Sequence, residues 1–474
     1  MRDHIQLFIN GQPVRVDGAD CFLTLSDFLR KRKCLTGTKI VCAEGDCGAC
    51  AVLVGRPRGN TITYAPVTSC IQLMAQLDAT HVVTVEGLSK PNELSSIQRA
   101  MVECHGTQCG FCTPGFVVTM HHHLTTCEQS DDASLRRALV GNLCRCTGYD
   151  AIARAGSRLD RSNLPSVDAI YSNVPARTSL ATLQQDDVDI SSNHRRFARP
   201  ATLPQALEFR ADRPGAVILN GSTDYGVLVN KRLREPTDLL CLSGLPELTS
   251  ITVDDRSIRV GATATLSHLE QVCNERLPAL GEYLQWFGSP LIKNAGTLAG
   301  NLATASPIGD MTPPLMVLNA EVELASKKAT RRVPIEQFIV GYRRTVMQPD
   351  ELITAIHIPI PSTTGIVRFY KVSKRQDLDI STVSASFAMQ INGGRIASAH
   401  VAMGGVGPTA LRLTKTEAEL VGKSASIDTF ERAGDVARSE VTPITDVRGT
   451  EAYRRAVAGN LVVRLGHEIV GGAR

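Results

Sequence analysis

The sequence has no apolar run of the roughly 18–20 residues that a bilayer-spanning helix needs. Its first stretch, MRDHIQLFINGQPVRVDGAD, carries charges and has no apolar core, so we expect no signal peptide. The net charge of +4 is small for 474 residues and no basic block is present, so nucleic-acid binding is not implied. No internal repeat of fixed period occurs. These absences predict a cytoplasmic globular protein, and a length of 474 residues at roughly 150 per domain predicts about three domains.

A Gly-x-Gly-x-x-Gly turn after a strand is also missing, because GGVG at 404–407 is too short and stands in the wrong context. A Rossmann cofactor fold is therefore not expected. The sequence instead has two loops of small residues, LNGSTD at 219–224 and TLAGNLATASPIGD at 297–310. Their backbone donors and hydroxyls could wrap a pyrophosphate. Each loop alone is equally compatible with an ordinary turn.

Cysteine, by contrast, is abundant and unevenly distributed. Twelve of the fourteen cysteines fall before residue 150. A cytosolic chain does not keep cysteines as disulfides, so the clustered ones are expected to be metal ligands or redox groups.

The first cysteine set follows the spacing Cys42-x4-Cys47-x2-Cys50, with Cys70 further along the chain. This is a plant-type [2Fe–2S] spacing. Gly45 and Gly48 would allow the unusual backbone angles of a loop that folds over a cluster. They would also let backbone N–H groups approach the sulfur atoms of the cluster. The alternatives are a zinc site or unrelated core cysteines, although zinc prefers paired Cys-x2-Cys units.

The second cysteine set consists of Cys109-x2-Cys112 and the later pair Cys144-x-Cys146. These four thiols lie near the predicted ends of helices, where the N-terminal dipole favours an anionic cluster. By itself this arrangement is also compatible with zinc. Beside a ferredoxin-like unit, a second [2Fe–2S] centre is the preferred interpretation.

The organisation along the chain changes several times. Residues 4–16 predict a hairpin turning at Asn10-Gly11, followed by a helix capped by Thr24 or Ser26. We predict a ferredoxin-like [2Fe–2S] domain over 1–87, a helical [2Fe–2S]-binding domain over 88–160, and a linker without periodicity over 161–195. Alternating strands and helices over 196–364, then strands and a final helix over 365–474, complete an α+β multidomain chain.

The motifs GTKIVCAEGDCGACAVL, HGTQCGFCTPGFV and GNLCRCTGY together resemble the iron–sulfur part of the xanthine dehydrogenases and other molybdenum hydroxylases. NGSTDYGVLV, KNAGTLAGNLATASPIGD, FIVGYRRT and YKVSKRQDLDIS resemble the FAD domain of the same family, and TPITDVRGTEAYRR its closing segment. The resemblance implies a β-grasp domain, a helical-bundle domain, a non-Rossmann FAD-binding domain over 196–364 and a C-terminal flavoprotein subdomain over 365–474.

The resemblance also implies roles for individual residues. Both cysteine sets would ligate [2Fe–2S] clusters. FAD contacts would come from Ile218, Leu219, Asn220, Gly221, Ser222, Thr223, Asp224, Tyr225, Phe287, Thr297, Leu298, Ala299, Gly300, Asn301, Asp310, Ile353 and Lys371. Gln108 and Cys146 would face a molybdopterin held by a partner chain. No catalytic residue for the substrate chemistry is expected in this chain.

Three positions depart from the usual pattern of the family. Ile40-Val41 replaces Glu-Gly before the first cluster cysteine, and Ala299 begins a loop that usually reads Gly-Gly-Asn. Leu378, flanked by Asp377 and Asp379, replaces an acidic residue that influences nicotinamide access in animal enzymes. These changes bear on the electron acceptor and the substrate more than on the cofactors.

The resemblance implies an electron-transfer subunit of a xanthine dehydrogenase-type enzyme. Electrons would pass from molybdopterin on a large partner chain through two [2Fe–2S] clusters to FAD and then NAD+, while hypoxanthine and xanthine become urate. A heterotetramer of two small and two large chains is expected, without nucleic acid. The alternatives are a related hydroxylase acting on aldehydes or N-heterocycles with another acceptor, and a stand-alone NADH-oxidising iron–sulfur flavoprotein.

Overall fold

The computed structural model describes residues 1–59, 61–89, 93–172, 176–235, 237–362 and 365–471. The strands, in chain order, are β1 His4–Ile9, β2 Gln12–Asp17, β3 Ala51–Arg58, β4 Thr61–Thr68, β5 His81–Val83, β6 Val188–Ser192, β7 Arg195–Arg199, β8 Val217–Leu219, β9 Asp238–Cys241, β10 Ile251–Val253, β11 Ser257–Gly261, β12 Glu321–Ala325, β13 Thr330–Pro334, β14 Ile339–Gly341, β15 Arg344–Thr345, β16 Leu352–Pro359, β17 Ile366–Val372, β18 Val383–Asn392, β19 Arg395–Gly404 and β20 Leu411–Arg412.

The α-helices are α1 Leu25–Lys31, α2 Ser96–Glu103, α3 Thr113–Thr126, α4 Asp132–Leu139, α5 Asp150–Ser157, α6 Val167–Ile170, α7 Ala176–Gln184, α8 Leu203–Asp212, α9 Tyr225–Asn230, α10 Pro246–Thr249, α11 Leu266–Arg276, α12 Pro278–Gln285, α13 Pro290–Lys293, α14 Leu298–Ala303, α15 Thr312–Val317, α16 Ile335–Phe338, α17 Thr414–Leu420, α18 Ile427–Glu440 and α19 Glu451–Val470.

The chain divides into two compact units. The first comprises 1–245 with 289–296, and the second comprises 246–288 with 297–474. The first unit therefore takes a short segment, 289–296, that interrupts the second unit in sequence. The predicted domain boundaries near residues 87, 160, 195 and 364 stay a prediction.

The first unit begins with a five-stranded sheet in the order β2-β1-β5-β3-β4. β1 pairs antiparallel with β2 and parallel with β5, which is the mixed pairing of a β-grasp sheet. The predicted turn is confirmed, because Asn10 and Gly11 have φ values of 48° and 78° and so suit a primed hairpin turn. Thr24 caps α1 by accepting the Asp27 N–H, which confirms one of the two predicted caps.

The predicted helical character of the stretch after the first sheet is also confirmed. The helices α2, α3, α4 and α5 enclose a core that includes Ile97, Phe116, Leu135 and Ile152, all nearly inaccessible to solvent. Pro114 lies in the first turn of α3, where a missing N–H costs nothing. Residues 90–92 of this predicted domain lie outside the described residues.

The predicted linker over 161–195 contains more regular structure than its sequence indicates. It forms α6 and α7, and β6 pairs antiparallel with β7. Leu180 of α7 is fully buried, and Val188 and Ile190 alternate inward along β6. The expectation of an irregular segment is therefore wrong for these stretches, because a few buried side chains order an otherwise polar sequence. Residues 173–175 of the predicted linker lie outside the described residues.

A second sheet of the first unit has the order β6-β7-β9-β8, with β9 parallel to both of its neighbours. LNGSTD leaves this sheet at the end of β8 and leads into α9. The parallel strands place this loop at a carboxyl edge, where backbone groups are free to bind ligands.

The second unit contains a five-stranded sheet, β10-β11-β16-β12-β13, and a four-stranded sheet, β17-β18-β19-β20. The predicted strands after residue 365 and the final helix are confirmed as β18, β19 and α19. Among the described residues, no helix is both long and apolar enough to cross a membrane.

Candidate cofactor sites

The first cysteine set lies on a loop between α1 and β3 and on the turn after β4. Gly45 and Gly48 have φ values of 80° and 66°, a region that glycine occupies without strain, as the sequence predicts. The sulfur of Cys42 accepts the backbone N–H groups of Glu44 and Cys47, each at 3.4 Å. The loop thus directs backbone donors at a cysteine sulfur, which is the arrangement that stabilises a thiolate.

Hydrogen bonds connect the thiols of this set in a row, from Cys47 to Cys42, to Cys70 and to Cys50. Cys42 contacts Cys47 and Cys70, and hydrogen bonds from these thiols lower the pKa of the Cys42 thiol. Cys70 donates hydrogen bonds to Cys50 and to Cys42. The bond to Cys50 lowers the pKa of the Cys50 thiol, and both bonds raise the pKa of the Cys70 thiol. Cys50 and Cys70 are buried, and Cys42 and Cys47 are partly exposed.

The second cysteine set forms two thiol pairs. Cys112 immediately precedes α3, as predicted for a helix end, and the Cys144–Cys146 segment connects α4 to α5. The sulfur atoms of Cys146 and Cys109 lie 3.6 Å apart. Burial and a hydrogen bond with Cys144 raise the pKa of the Cys112 thiol to about 12.

Each cysteine set supplies four thiols. Structural zinc takes four protein ligands around one centre, whereas a [2Fe–2S] cluster takes four cysteines shared between two irons. The amide donors at the Cys42 sulfur suit an anionic cluster, so the first set fits a [2Fe–2S] cluster. The four thiols of the second set also match the number that such a cluster takes.

The two cysteine sets contact each other directly. The backbone N–H of Leu143, the residue before Cys144, donates to the carbonyl oxygen of Cys47 at 3.0 Å. The side-chain amide of Asn142 donates to the carbonyl oxygen of Gly48 at 3.1 Å. One hydrogen bond therefore links the backbone of the two loops next to a cysteine of each set.

The first predicted flavin loop, Ile218–Tyr225, also lies in the first unit. Ser222 has a φ of 58° and is buried, and its hydroxyl has no hydrogen-bond partner in the described structure. A Cβ added to Gly221 would lie 2.0 Å from the carbonyl oxygen of Ala295. Ser222 is thus a strained residue with an unsatisfied buried hydroxyl, and its loop has no room for a side chain at Gly221. These features fit a bound polar ligand such as a dinucleotide.

This loop is fastened to the segment that carries Cys70. Gln72 donates its side-chain amide to the carbonyl oxygen of Gly221 at 2.8 Å, and Gln76 donates to that of Asn220 at 2.7 Å. Sequence reasoning did not identify either glutamine, because a side-chain amide that binds a distant carbonyl has no signature in spacing or periodicity.

The second predicted flavin loop lies in the second unit. Thr297 caps α14 by accepting the N–H of Gly300 at 3.0 Å. Leu298 and Ala299 are buried, and the side-chain oxygen of Asn301 is buried without a hydrogen-bond partner in the described structure. This orphaned oxygen, like the hydroxyl of the first loop, fits a polar ligand.

Other predicted contacts of the second unit form a connected polar group. The ammonium of Lys371 donates to Asp310 at 2.8 Å and to the carbonyl oxygen of Trp286 at 3.1 Å. Ser381 donates to the other carboxylate oxygen of Asp310. The Lys371 ammonium is thus held in place by its partners.

Two further predicted contacts of the second unit are apolar. Phe287 follows Trp286 and is half-buried against the core, and Ile353 is buried within β16.

The structure also describes Gln108, Thr223, Asp224, Tyr225 and Leu378, whose predicted roles stay predictions. Gln108 donates its side-chain amide to the carbonyl oxygen of Cys146 at 3.0 Å. Thr223 is half-buried, Asp224 precedes α9, and the Tyr225 hydroxyl donates to the carbonyl oxygen of Glu235 at 3.3 Å. Leu378 has a φ of 56° in the loop between β17 and β18.

Three family models match successive parts of the chain. They are described as a [2Fe-2S] binding domain over 84–157, an FAD binding domain in molybdopterin dehydrogenase over 191–361, and a CO dehydrogenase flavoprotein C-terminal domain over 368–469. The matches follow the order predicted from the motifs.

Similar curated proteins include the xanthine dehydrogenase of Emericella nidulans, 30% identical across 99% of this chain and 39% of that protein. Xanthine dehydrogenase 1 of Arabidopsis thaliana is 30% identical across 94% of this chain and 38% of that protein. Aldehyde oxidase 4 of Cavia porcellus is 29% identical across 89% of this chain and 36% of that protein. The chain therefore spans about two fifths of the length of these relatives.

Similar solved structures include a carbon monoxide dehydrogenase of Hydrogenophaga pseudoflava, with a TM-score of 0.55 and 26% identity over 56% of this chain and 94% of that chain. Quinoline 2-oxidoreductase of Pseudomonas putida 86 gives a TM-score of 0.54 and 28% identity over 58% of this chain and 96% of that chain. Together with the family models, these similarities show that the chain belongs to the molybdenum hydroxylase family of oxidoreductases, as an electron-transfer chain with the family's iron–sulfur and FAD-binding domains.

Proposed function

We propose that this chain is the electron-transfer subunit of a xanthine dehydrogenase that converts hypoxanthine and xanthine to urate. Electrons would enter from molybdopterin on a large partner chain and leave to NAD+. The observation that carries the proposal is a series of direct contacts within the first unit. Leu143 binds the Cys47 carbonyl, and Gln72, two residues after Cys70, binds the Gly221 carbonyl.

Cys109, Cys112, Cys144 and Cys146 would hold one [2Fe–2S] cluster, and Cys42, Cys47, Cys50 and Cys70 the other. The contacts of Leu143 and Gln72 then join the second cysteine set to the first, and the first set to the flavin loop. The chain's role is to hold these groups close together and to tune them, while the cofactors supply the redox chemistry.

Exposure supports an order along this series. Cys109 and Cys146 are exposed, whereas Cys50 and Cys70 are buried. Phe111, between two cysteines of the second set, is 48% exposed, and Tyr149 is 39% exposed. Exposed aromatic side chains are enriched where proteins bind partners. We therefore propose that the large chain docks at the second cysteine set and that Gln108 and Cys146 face its molybdopterin.

FAD, when bound, exchanges single electrons with iron–sulfur carriers and a hydride with nicotinamide. In the first unit, Ser222 offers an unpartnered hydroxyl, and the backbone of Ile218–Tyr225 would follow the dinucleotide. In the second unit, Asn301 offers an unpartnered amide oxygen, and Asp310 holds Lys371 in a fixed position. The same proposal assigns Phe287 to the flavin ring. It also includes a cytoplasmic location, since all fourteen cysteines are free thiols.

A second candidate substrate class is supported by the similarities themselves. An aldehyde oxidase is 29% identical over 89% of this chain, close to the 30% of the xanthine dehydrogenases, and a quinoline 2-oxidoreductase is 28% identical over 58% of it. In animal enzymes an acidic residue influences nicotinamide access, and this chain has Leu378 at that position. The second candidate therefore includes an electron acceptor other than NAD+. A hydroxylase of aldehydes or N-heterocycles is thus the second candidate.

The deciding experiment purifies the complex from its own cells through an affinity tag on this chain. We expect the complex to contain molybdenum, with one FAD and about four irons per copy of this chain. The two kinds of chain should be present in equal numbers, and the mass should correspond to two copies of each. Xanthine oxidation should be faster with NAD+ than with oxygen. Preferred oxidation of benzaldehyde or quinoline would support the second candidate. Zinc without iron would contradict both candidates.

A further inference from the structure

Asn142 lies between the two cysteine sets, on the short segment that follows α4. Its side chain is 2% exposed, and its amide donates to the carbonyl oxygen of Gly48 at 3.1 Å. Its own backbone N–H donates to the Leu139 carbonyl oxygen at 2.9 Å, which ties the residue to the end of α4. The side chain therefore connects a rigid helix end to the loop of the first set.

The backbone packs closely around this amide. A Cβ on Gly48 would lie 2.3 Å from the carbonyl oxygen of Gly141, and a Cβ on Gly115 would lie 2.2 Å from that of Gly48. Three backbone segments thus meet without side chains, and Asn142 is the side chain that bonds across the junction. Leu143 then makes the backbone hydrogen bond to Cys47.

Stability alone does not account for an asparagine at this position. The amide oxygen of Asn142 is buried and has no hydrogen-bond partner in the described structure. A buried unsatisfied oxygen costs free energy, and a smaller or apolar side chain would avoid that cost. The donor half of the amide, which bonds to the Gly48 carbonyl, is what asparagine contributes here and what an apolar side chain would lack.

We propose that Asn142 is a positioning residue for electron transfer between the two clusters, an inference that rests on the cluster assignment made under the proposed function. Electronic coupling falls steeply with distance and is stronger through bonds than across gaps. The route from Cys144 through the Leu143 N–H to the Cys47 carbonyl carries one electron at a time, and no bond along it is made or broken. Asn142 keeps this hydrogen bond at a fixed length by holding the adjacent carbonyl.

The test uses Asn142→Ala in the whole complex, with Asn294→Ala as the matched control. Asn294 also donates a side-chain amide to a backbone carbonyl of the first unit, that of Pro66 at 2.8 Å, and belongs to neither cysteine set. Dithionite reduces both clusters, and electron paramagnetic resonance reports their magnetic interaction. Laser-triggered reduction reports the rate at which electrons equilibrate between them.

We expect Asn142→Ala to retain its iron and both cluster signals while the magnetic splitting shrinks and equilibration slows, with the control unchanged. An unchanged splitting and rate would overturn the proposal. Loss of a cluster from Asn142→Ala would also overturn it, since the residue would then serve only folding. A wild-type complex without two [2Fe–2S] signals would instead refute the cluster assignment of the proposed function.

Discussion

Asn230, the last residue of α9, donates its side-chain amide to the carbonyl oxygen of Cys70 at 2.7 Å and to that of Ala43 at 2.8 Å. One amide thus joins both segments of the first cysteine set to the helix that follows the first flavin loop. Gly226, earlier in the same helix, packs against Ile71, because an added Cβ would lie 2.2 Å from the carbonyl oxygen of Ile71. The helix therefore packs against the cysteine set and is hydrogen-bonded to both of its segments.

Asn230→Ala is expected to loosen the first cysteine set. Each lost hydrogen bond contributes about 0.5–1.5 kcal/mol, so the set should be destabilised by about 1–3 kcal/mol. The urea concentration at which iron–sulfur absorbance disappears should fall. Asn163→Ala, which removes an exposed bond to Asp160 within one turn, is the control and should leave that concentration unchanged. Equal midpoints in the two variants would contradict the role given to Asn230.

Gly221→Ala tests the first flavin loop. The added methyl group would lie 2.0 Å from the Ala295 carbonyl oxygen, and overpacking of this kind costs about 1–3 kcal/mol. We expect the purified variant to contain less FAD per chain while its iron content is unchanged. Gly215→Ala is the control, because an added Cβ there meets no atom within 4 Å. Full flavin occupancy in Gly221→Ala would show that the loop adapts or does not bind FAD.

The local parts of this structure follow from the sequence, whereas the long-range ties do not. Asn10-Gly11 selects a hairpin turn by backbone preference alone, and the cysteine spacings group the ligands of each set. The bond between Asn142 and Gly48 joins residues 94 positions apart, and that between Asn230 and Cys70 spans 160 positions. No periodicity marks such pairs, since they arise only when separate elements pack.

Several elements were missed because their sequence signals are weak, β4 and β6 among them. β4 contains Pro66, and proline argues against a central strand; β4 is an edge strand, where proline is tolerated. β6 has only five residues and two inward side chains, Val188 and Ile190, within a polar stretch. Burial against the first unit's core, which the sequence does not reveal, orders this strand.

Cys146→Ser tests the second cysteine set. Serine is a poor iron ligand compared with a thiolate, so we expect one of the two cluster signals in electron paramagnetic resonance to be lost or altered. Under the proposed function, reduction of the complex by xanthine should stop, whereas NADH oxidation with a dye should continue, because that reaction needs the flavin alone. Cys34→Ser, which alters an exposed cysteine outside both sets, should preserve both signals. Two intact signals in Cys146→Ser would refute its assignment as a ligand.

Glu351 gives the second unit a pH-dependent contribution to stability. Arg331 donates two hydrogen bonds to its carboxylate, at 2.7 and 2.9 Å, and the Gln348 N–H donates a third at 2.7 Å. The Arg331 hydrogen bond is the main cause of a lowered pKa at Glu351, while burial opposes it. A lowered folded-state pKa stabilises the protein above the unfolded value of about 4.3, and this stabilisation is lost as pH falls through the folded value.

Glu351→Gln should therefore lower the free energy of unfolding of the second unit at neutral pH by about 1 kcal/mol. This value allows for solvent screening, because the Arg331 side chain is 42% exposed. Trp286, the single tryptophan, lies in this unit and reports its urea unfolding by fluorescence. The difference between wild type and variant should shrink as pH falls below about 4.3. Glu275→Gln, at an exposed position of α11, is the control. A difference independent of pH would mean that Glu351 acts through packing, since the ion pair with Arg331 requires an ionised carboxylate.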